Sequence, residues 1–461
     1  MKGQAPRVGW LFAYDWDQLA LRRLASAGWA RFDTAGFDLF SFPSQLRLAG
    51  FDIERFADRQ ARRGKRLGWQ AVLSHHEQFG ALAAALVAER LGLHGPRAQA
   101  ILAAQHKLHA RRVLQQVAPE ANLAHGLLPA RHGEPVPEGL MYPAYVKPVK
   151  AAFSVLARRV DSREELQAHT RFSSWERWLV QRLVEPFDRV ARARLPQAGP
   201  AHRMLMEEPV APSVAQYNLD GWVHRGRAHA LGVVDAIMVP GTQAFLRWEV
   251  PSQLDAGVQA QALDVAQRFL EAIGFDDGVF NLEFFHDAQS GRLSVIECNP
   301  RMASQFGDLY RRVLGVDVHA MAVALALGED PSSVPRVAPT AGAAASLVYR
   351  SFPGQPVPDP PDAARRAAFA RGWPDGLLFH FPKSGAGLRR DFKWTGSHRY
   401  GIVHLGAADH DQLRLQAERA SAALGWPAPY AGGTGLPLAA ASAPPPVVYD
   451  ASVSAPLAGL R

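Results

Sequence analysis

Apolar residues in this chain follow two rhythms, and the switches between them lay out its elements. The run Val-Gly-Trp-Leu-Phe-Ala at 8–13 has the length and continuity of a buried strand, and Ala-Val-Leu-Ser at 71–74 repeats it. Residues 79–91 carry Ala and Leu at helical spacing and stop at Gly92, which predicts a helix with a glycine end. Strand and helix alternating over short turns predict a small α/β unit closing near Gly95-Pro96. One long helix is predicted over 97–117. Strands are expected at 145–147, 154–160, 178–184 and 204–207, with a helix start at Asp161-Ser-Arg-Glu164. Runs at 215–224 and 228–238 face each other across Arg225-Gly226-Arg227, a hairpin pattern. A loop holding Arg247 and a helix over 251–273 lead to a second hairpin, 278–285 with 293–298, turning around residues 287–291. A helix at 318–327 ends at Gly328, and a Pro/Ala linker fills 331–345. Strands at 346–349 and 399–405 and a helix at 409–424 follow, and from Pro427 the Ala/Gly/Pro/Ser-rich composition predicts a disordered tail.

The fold class expected from this order is α/β (α+β), with an N-terminal α/β domain over 1–96 and a middle domain over 97–335. A C-terminal α+β subdomain over 340–426 and a tail over 427–461 complete the chain. Its 461 residues exceed what one small core organises, which agrees with several units.

Composition narrows the function without naming it. Hydrophobic residues are 48% and charged residues 20%, as in ordinary soluble enzymes. The first apolar run is short and is followed by Asp15 and Asp17, so the chain reads as cytoplasmic, with no membrane partner expected. The single cysteine, Cys298, excludes an intramolecular disulfide and a thiolate-rich metal site within this sequence. Net charge is +8, but the basic residues are dispersed rather than clustered beside aromatics, so no nucleic-acid partner is expected. Only seven of the 51 basic residues are lysines: Lys2, Lys65, Lys107, Lys147, Lys150, Lys383 and Lys393. In a chain that prefers arginine so strongly, a retained lysine points to a need for a compact point charge.

The chemistry lies in the second predicted hairpin. Glu283 in Val279-Phe-Asn-Leu-Glu-Phe-Phe285 and Glu297 in Leu293-Ser-Val-Ile-Glu297 fall on neighbouring strands, so a turn near Ser290 sets them side by side. Two adjacent buried carboxylates repel and call for a proton or a cation. Asn299 adds an oxygen ligand, a set suited to Mg²⁺ that also holds phosphate (Mn²⁺ being the other candidate). Solvent-facing acids on an exposed hairpin are the bland alternative.

The string Ile296-Glu-Cys-Asn-Pro-Arg301, after a strand ending Asn281-Leu-Glu283, resembles the metal-binding hairpin of the ATP-grasp superfamily. The resemblance is to its carboxylate–amine ligases, distantly to biotin carboxylase and D-alanine–D-alanine ligase. Other segments fall in the family's order over roughly residues 70 to 330: Ser74-His-His-Glu-Gln-Phe-Gly80, His106-Lys107, Tyr142-Pro-Ala-Tyr-Val-Lys147, Met204-Leu-Met-Glu-Glu208 and Tyr217-Asn-Leu-Asp-Gly-Trp222. The resemblance implies an N-terminal domain followed by a two-subdomain nucleotide clamp, and an ADP-forming amide or peptide synthesis through an acyl phosphate. It implies Lys107 and Lys147 on the α- and β-phosphates. Glu207, with backbone at Glu208 and Val210, would form the adenine hinge. Glu283, Glu297 and Asn299 would hold Mg²⁺, with Arg301 on the transferring phosphoryl group. The loop Pro148-Val-Lys150-Ala-Ala-Phe-Ser154 lacks the glycines of many relatives, and Lys150 and Ser154 are expected to compensate. Gln216 replaces a ribose-binding glutamate. Arg247 and His76 are the expected substrate contacts, the partners being a small carboxylate and a small amine, with a homodimer also considered. Bicarbonate activation of the biotin-carboxylase kind and a non-catalytic nucleotide-binding regulator are the alternatives.

Overall fold

The computed structural model describes residues 5–37, 48, 50–129, 134–151, 155–242, 244–427 and 430. The expected tail therefore lies almost wholly outside the described residues, as does Ser154. No helix among the described residues is long and apolar enough to cross a membrane.

The chain opens on β1 (Arg7–Leu11), α1 (Asp15–Ser26), β2 (Arg31–Ala35), α2 (Ile53–Leu67), β3 (Ala71–Leu73) and α3 (Gly80–Leu91). The strands make a parallel sheet in the order β2-β1-β3. The alanine-rich α3 is buried along most of its length and ends on Gly92 at φ 64, a left-handed stop that favours glycine.

The single helix predicted over 97–117 is two, α4 (Ala98–Gln105) and α5 (Lys107–Val117). His106 leaves the helical region at ψ 90, and its Nδ1 accepts the N–H of His109, capping the new helix. The N–H of Lys107 bonds instead to Val149 O at 3.1 Å. A one-residue break with its own cap barely disturbs apolar spacing, which is why the pattern reads as continuous.

β4 (His125–Leu127), β5 (Ala144–Pro148), β6 (Arg158–Val160), α6 (Arg163–His169), α7 (Ser174–Arg194) and β7 (Met204–Glu207) come next. Their strands form an antiparallel sheet in the order β4-β7-β5-β6. The strand expected at 178–184 lies inside α7. A Ser173–Glu176 capping box starts that helix, and Leu179, Val180, Val184 and Phe187 recur on one buried face at helical spacing.

The rest builds one large antiparallel sheet. Its elements are β8 (Ala215–His224), β9 (Arg227–Met238), β10 (Phe245–Val250), α8 (Ala256–Ala272), β11 (Gly278–His286), β12 (Leu293–Asn299), α9 (Gly307–Leu314), α10 (Val318–Ala326), β13 (Ala343–Ser351), α11 (Ala363–Gly372), β14 (Leu377–His380), α12 (Gly385–Thr395), β15 (His398–Ala407) and α13 (His410–Leu424). Eight strands run in the order β12-β11-β8-β9-β10-β13-β15-β14. Two expectations are corrected here. Residues 245–250, expected as a loop, form a central strand, and the linker at 331–345 ends inside the sheet, where Ala343, Ala344 and Ala345 are fully buried. The residues expected as a C-terminal subdomain thus extend the same sheet that carries the two acids.

Candidate ligand and metal site

Strand register places the acids. Glu283 on β11 lies directly opposite Glu297 on β12, and Asn281 opposite Asn299. On its other side β11 pairs with β8, setting Asn218 opposite Glu283 and Asp220 opposite Asn281. Cross-strand partners share a face, so seven polar side chains, with Gln216 next along β8, line one face of three adjacent strands. All but Glu297 are linked by hydrogen bonds. Asn299 Nδ2 donates to Glu283 Oε1 at 3.1 Å, Gln216 Nε2 to Glu283 Oε2 at 3.3 Å and Asn281 Nδ2 to Asp220 Oδ1 at 3.0 Å. Burial pushes the Asp220 carboxyl up to about 7, against the bonds from Tyr310 and Asn281.

A set of cations closes over this face. Lys107 Nζ lies 2.6 Å from Glu297 Oε2. From the four-stranded sheet, Lys147 Nζ reaches Glu207 Oε2 at 2.8 Å and Ile296 O at 3.2 Å. Arg111, one turn beyond Lys107 on α5, binds Glu207 Oε1 at 2.6 Å and the carbonyls of Val295 and Ile296 at 2.6 and 3.0 Å. Arg111 therefore ties α5, the small sheet and the acid-bearing strand into one clamp. Arg301 Nη2 pairs with Glu77 Oε2 at 2.5 Å, while its buried Nε has no hydrogen-bond partner among the described residues. Lys150 is buried, donating to Glu77 O at 3.3 Å and Gln105 Oε1 at 3.1 Å over the ring of Phe187.

The electrostatics of the two acids diverge. Burial and the neighbouring Glu297 charge hold the Glu283 carboxyl well above the usual glutamate range. Burial would raise Glu297 too, but Lys107 and Lys147 hold it below that range. Burial lowers Lys147 to about 8 despite Glu207, and Lys150 to about 7 despite Glu77. Burial opposes the Arg301 charge as well, yet Glu77 and Tyr14 keep its pKa above the ordinary value.

No protein-family model matches the chain. The L-amino acid ligase from Bacillus licheniformis superposes with a TM-score of 0.65 over 91% of this chain and 98% of that one, at 16% identity. Segments resemble the carbamoyl phosphate synthase large chain of Thermotoga neapolitana, 35% identical over 86 residues, and carnosine synthase 1 of Gallus gallus, 42% identical over 91. These segments are 18% and 20% of this chain, and the chain spans only 8% and 10% of those relatives' lengths. The chain has the ATP-grasp fold. Its large and small antiparallel sheets are the two halves of that fold, and the Glu283–Glu297 pair and Lys147 face each other between them.

Within this ATP-grasp frame the structure brings together Lys107, Lys147, Lys150, Glu207, Gln216, Glu283, Glu297, Asn299 and Arg301. Glu208 sits at the edge of the group: its N–H bonds Ala124 O and its carboxylate pairs with Arg292 at 2.6 Å, with Val210 partly buried two residues on. His76 is buried, stacked on Tyr14 with centroids 5.1 Å apart, and burial lowers it to about 3, so it is neutral. Arg247 is placed elsewhere. It pairs with Glu249 at 2.9 Å beneath the Tyr430 ring, and strand alternation puts it on the face opposite Trp248, whose register through Ala236 to Gln216 marks the acid face. The sequence reading gave no role to Arg111, Glu77, Asn218, Asp220 or Asn281. Two signals for them exist: Arg111 stands four residues after Lys107, and Gln216, Asn218 and Asp220 alternate with apolar residues.

Proposed function

We propose that the chain is an ATP-dependent, ADP-forming ligase that joins a carboxylate to an amine through an acyl phosphate. The observation that carries this reading is the Glu283–Glu297 pair, in register on one sheet and faced by lysines from the other side of the cleft. A divalent cation fits the pair, because Glu283 and Glu297 lie opposite one another with Asn299 alongside, a set of hard oxygen donors whose mutual repulsion a cation would relieve. Bound there, Mg²⁺ would neutralise phosphate oxygens. Glu283, Glu297 and Asn299 supply its oxygen ligands. Lys107 and Lys147 then meet the α- and β-phosphates, Lys150 backs them, and Glu207 with the backbone at Glu208 and Val210 receives the adenine. Gln216 is assigned to the ribose.

Arg301 stabilises charge on the phosphoryl group as the substrate carboxylate attacks it. Oxygen of that carboxylate bonds to γ-phosphorus as the bond to the ADP oxygen breaks. The amine then attacks the acyl carbon, phosphate leaves, and the ammonium proton passes to solvent or a nearby base. No side-chain nucleophile takes part, so the task is positioning and charge neutralisation. We assign the clamp to residues 97–335, with 1–96 and 340–426 closing over it. Phosphate release from MgATP, measured with carboxylates and amines drawn from an amino acid panel, tests the reading. Turnover should require both substrates and fall at least 100-fold in Glu297→Gln. ATP binding without stimulation by any pair would overturn it.

A further inference from the structure

A second group of ligating side chains lies outside the clamp, where the N-terminal unit meets α10. Asp17 on α1, His75 just after β3 and His319 on α10 are all buried, and one ligand atom from each lies within 4.8 Å of the others. His319 Nε2 lies 3.0 Å from Asp17 Oδ1, and His75 Nδ1 lies 3.6 Å from the same oxygen. The longer of these contacts is not a hydrogen bond. Neither ring nitrogen of His75 has a hydrogen-bond partner among the described residues, although the residue is only 1% exposed. Buried side-chain nitrogens are normally satisfied, so this imidazole calls for a ligand.

Charge and geometry both suit a cation. Among the described residues the ion-pair partners of Asp17 are the two histidines, with no lysine or arginine, so no permanent cation meets its buried charge. Burial lowers His75 against the pull of Asp17, which leaves the neutral imidazole that ligates metals. Tetrahedral ligands about 2.0–2.1 Å from zinc stand roughly 3.4 Å apart. The observed spacings, 3.0 and 3.6 Å, bracket that value. Asp17 Oδ2 is engaged separately, accepting the Tyr14 N–H at 2.9 Å, so Oδ1 is the oxygen left facing both histidines. The rings are held in place. Trp10 on β1 stacks on His319 with centroids 5.8 Å apart and meets His75 edge-on at 4.9 Å. A Cβ on Gly307 would come within 2.8 Å of His319 Cε1, so the glycine makes room for that ring. Arg23 on α1 pairs at 2.5 Å with Asp317, the cap of α10, which docks the two helices beside the cluster.

We infer that Asp17 Oδ1, His75 Nδ1 and His319 Nε2 form a second metal site, for one divalent transition ion of the zinc class, distinct from the Mg²⁺ site proposed at Glu283 and Glu297. Two imidazoles and one carboxylate select such an ion over Mg²⁺, which prefers oxygen alone. Three side chains converge among the described residues, so the fourth position falls to water; a cavity of about 60 Å³ bordered by His75, Ala322 and Ala326 has room for it. The ion joins α1 and the segment after β3 to α10, and His75 stands two residues before Glu77, the partner of Arg301. Its role is to fasten the N-terminal unit over the clamp, and the inference does not depend on the ligase reading.

The test uses the untagged full chain in excess MgCl₂, which keeps the oxygen site filled. Zn²⁺ uptake is read by elemental analysis after gel filtration, and Co²⁺ serves as the coloured probe. One Zn²⁺ per chain is expected, with a melting temperature above that of the metal-stripped chain. Co²⁺ should give the intense visible band of a four-coordinate site with nitrogen ligands. Asp17→Asn, His75→Gln and His319→Gln should each weaken Zn²⁺ binding roughly 100-fold or more, beyond what loss of an outer hydrogen-bond partner costs. His202→Ala dismantles the other grouping of histidine and carboxylates among the described residues, with Glu185 and Asp188, and should leave uptake unchanged. Uptake that survives all three ligand variants overturns the site, as does a parent chain that takes up no stoichiometric zinc. If the cluster acts through hydrogen bonds alone, the ligand variants lower the melting temperature equally with zinc and with EDTA, and the site fails. Should those variants not fold, the Co²⁺ spectrum of His202→Ala decides: an intense four-coordinate band supports the site, and a weak octahedral spectrum overturns it.

Discussion

Glu283 and Glu297 are assigned the same metal, but without it they should behave oppositely. Two charges about 5 Å apart at an effective permittivity near 20 repel by on the order of 3 kcal/mol. Glu283 meets this repulsion by keeping its proton, so its contribution is most favourable below the ordinary glutamate pKa and is lost as pH rises through the raised value. Glu283→Gln removes the repulsion. It also turns one acceptor into an amide N–H₂ facing Asn299 or Gln216, a loss of about 1 kcal/mol. The net effect without metal at pH 8 is a gain of about 1–2 kcal/mol, or a melting temperature higher by roughly 2–6 °C. Glu297→Gln instead strips Lys107 of its 2.6 Å partner in a mostly buried setting, a loss of about 2 kcal/mol. Both variants should lose the stabilisation that MgCl₂ gives the parent. Melting curves in EDTA and in MgCl₂ at pH 6 and 8 decide it. If Glu283→Gln melts below the parent in EDTA at pH 8, or if both variants shift in the same direction, the electrostatic account of the pair is wrong.

Other expectations follow from the same geometry. Arg111→Leu should destabilise by about 3–5 kcal/mol in urea unfolding, because Glu207 keeps only Lys147 and two strand carbonyls lose a buried donor; lysine should not rescue it, lacking the fork. His106→Ala removes the cap of α5, about 1 kcal/mol, and should raise KM for ATP several-fold, because Lys107 is the first residue of that helix. Lys150, lowered to about 7 by burial, loses its charge as pH rises through neutrality, so KM for ATP should climb between pH 6 and 8 in the parent and climb less in Lys150→Arg. In the free protein that same depressed lysine binds fewer protons than the unfolded chain above pH 7, so its contribution to stability rises with pH there.

What was legible in the sequence is what local pattern encodes. The acid hairpin could be read in outline because both strands alternate and one polar turn joins them, but it is a bulge between Glu283 and Phe284, passing over Ile296, that sets Glu283 opposite Glu297. The two clamp lysines stood out by rarity. Residues 178–184, inside the helix at 174–194, read as a strand because a seven-residue window holds too little of the helical period; extending the window to Phe187 brings out the helical spacing. The larger gap is pairing between distant segments. β11 sits between β12, its hairpin partner, and β8, which is separated from it in the chain by β9, β10 and α8. That non-local pairing brings Asn218 and Asp220 to the acids, and nothing in either strand announces it. Arg301 finds Glu77 across 224 positions. The residues proposed to hold the metal are thus neighbours on one hairpin, whereas those that flank them come from distant strands of the sheet and its N-terminal cover. A motif can report the first group. Only the assembled sheet, open at β12 and β14, reports the second, because the pairing of distant strands leaves no local pattern in the chain.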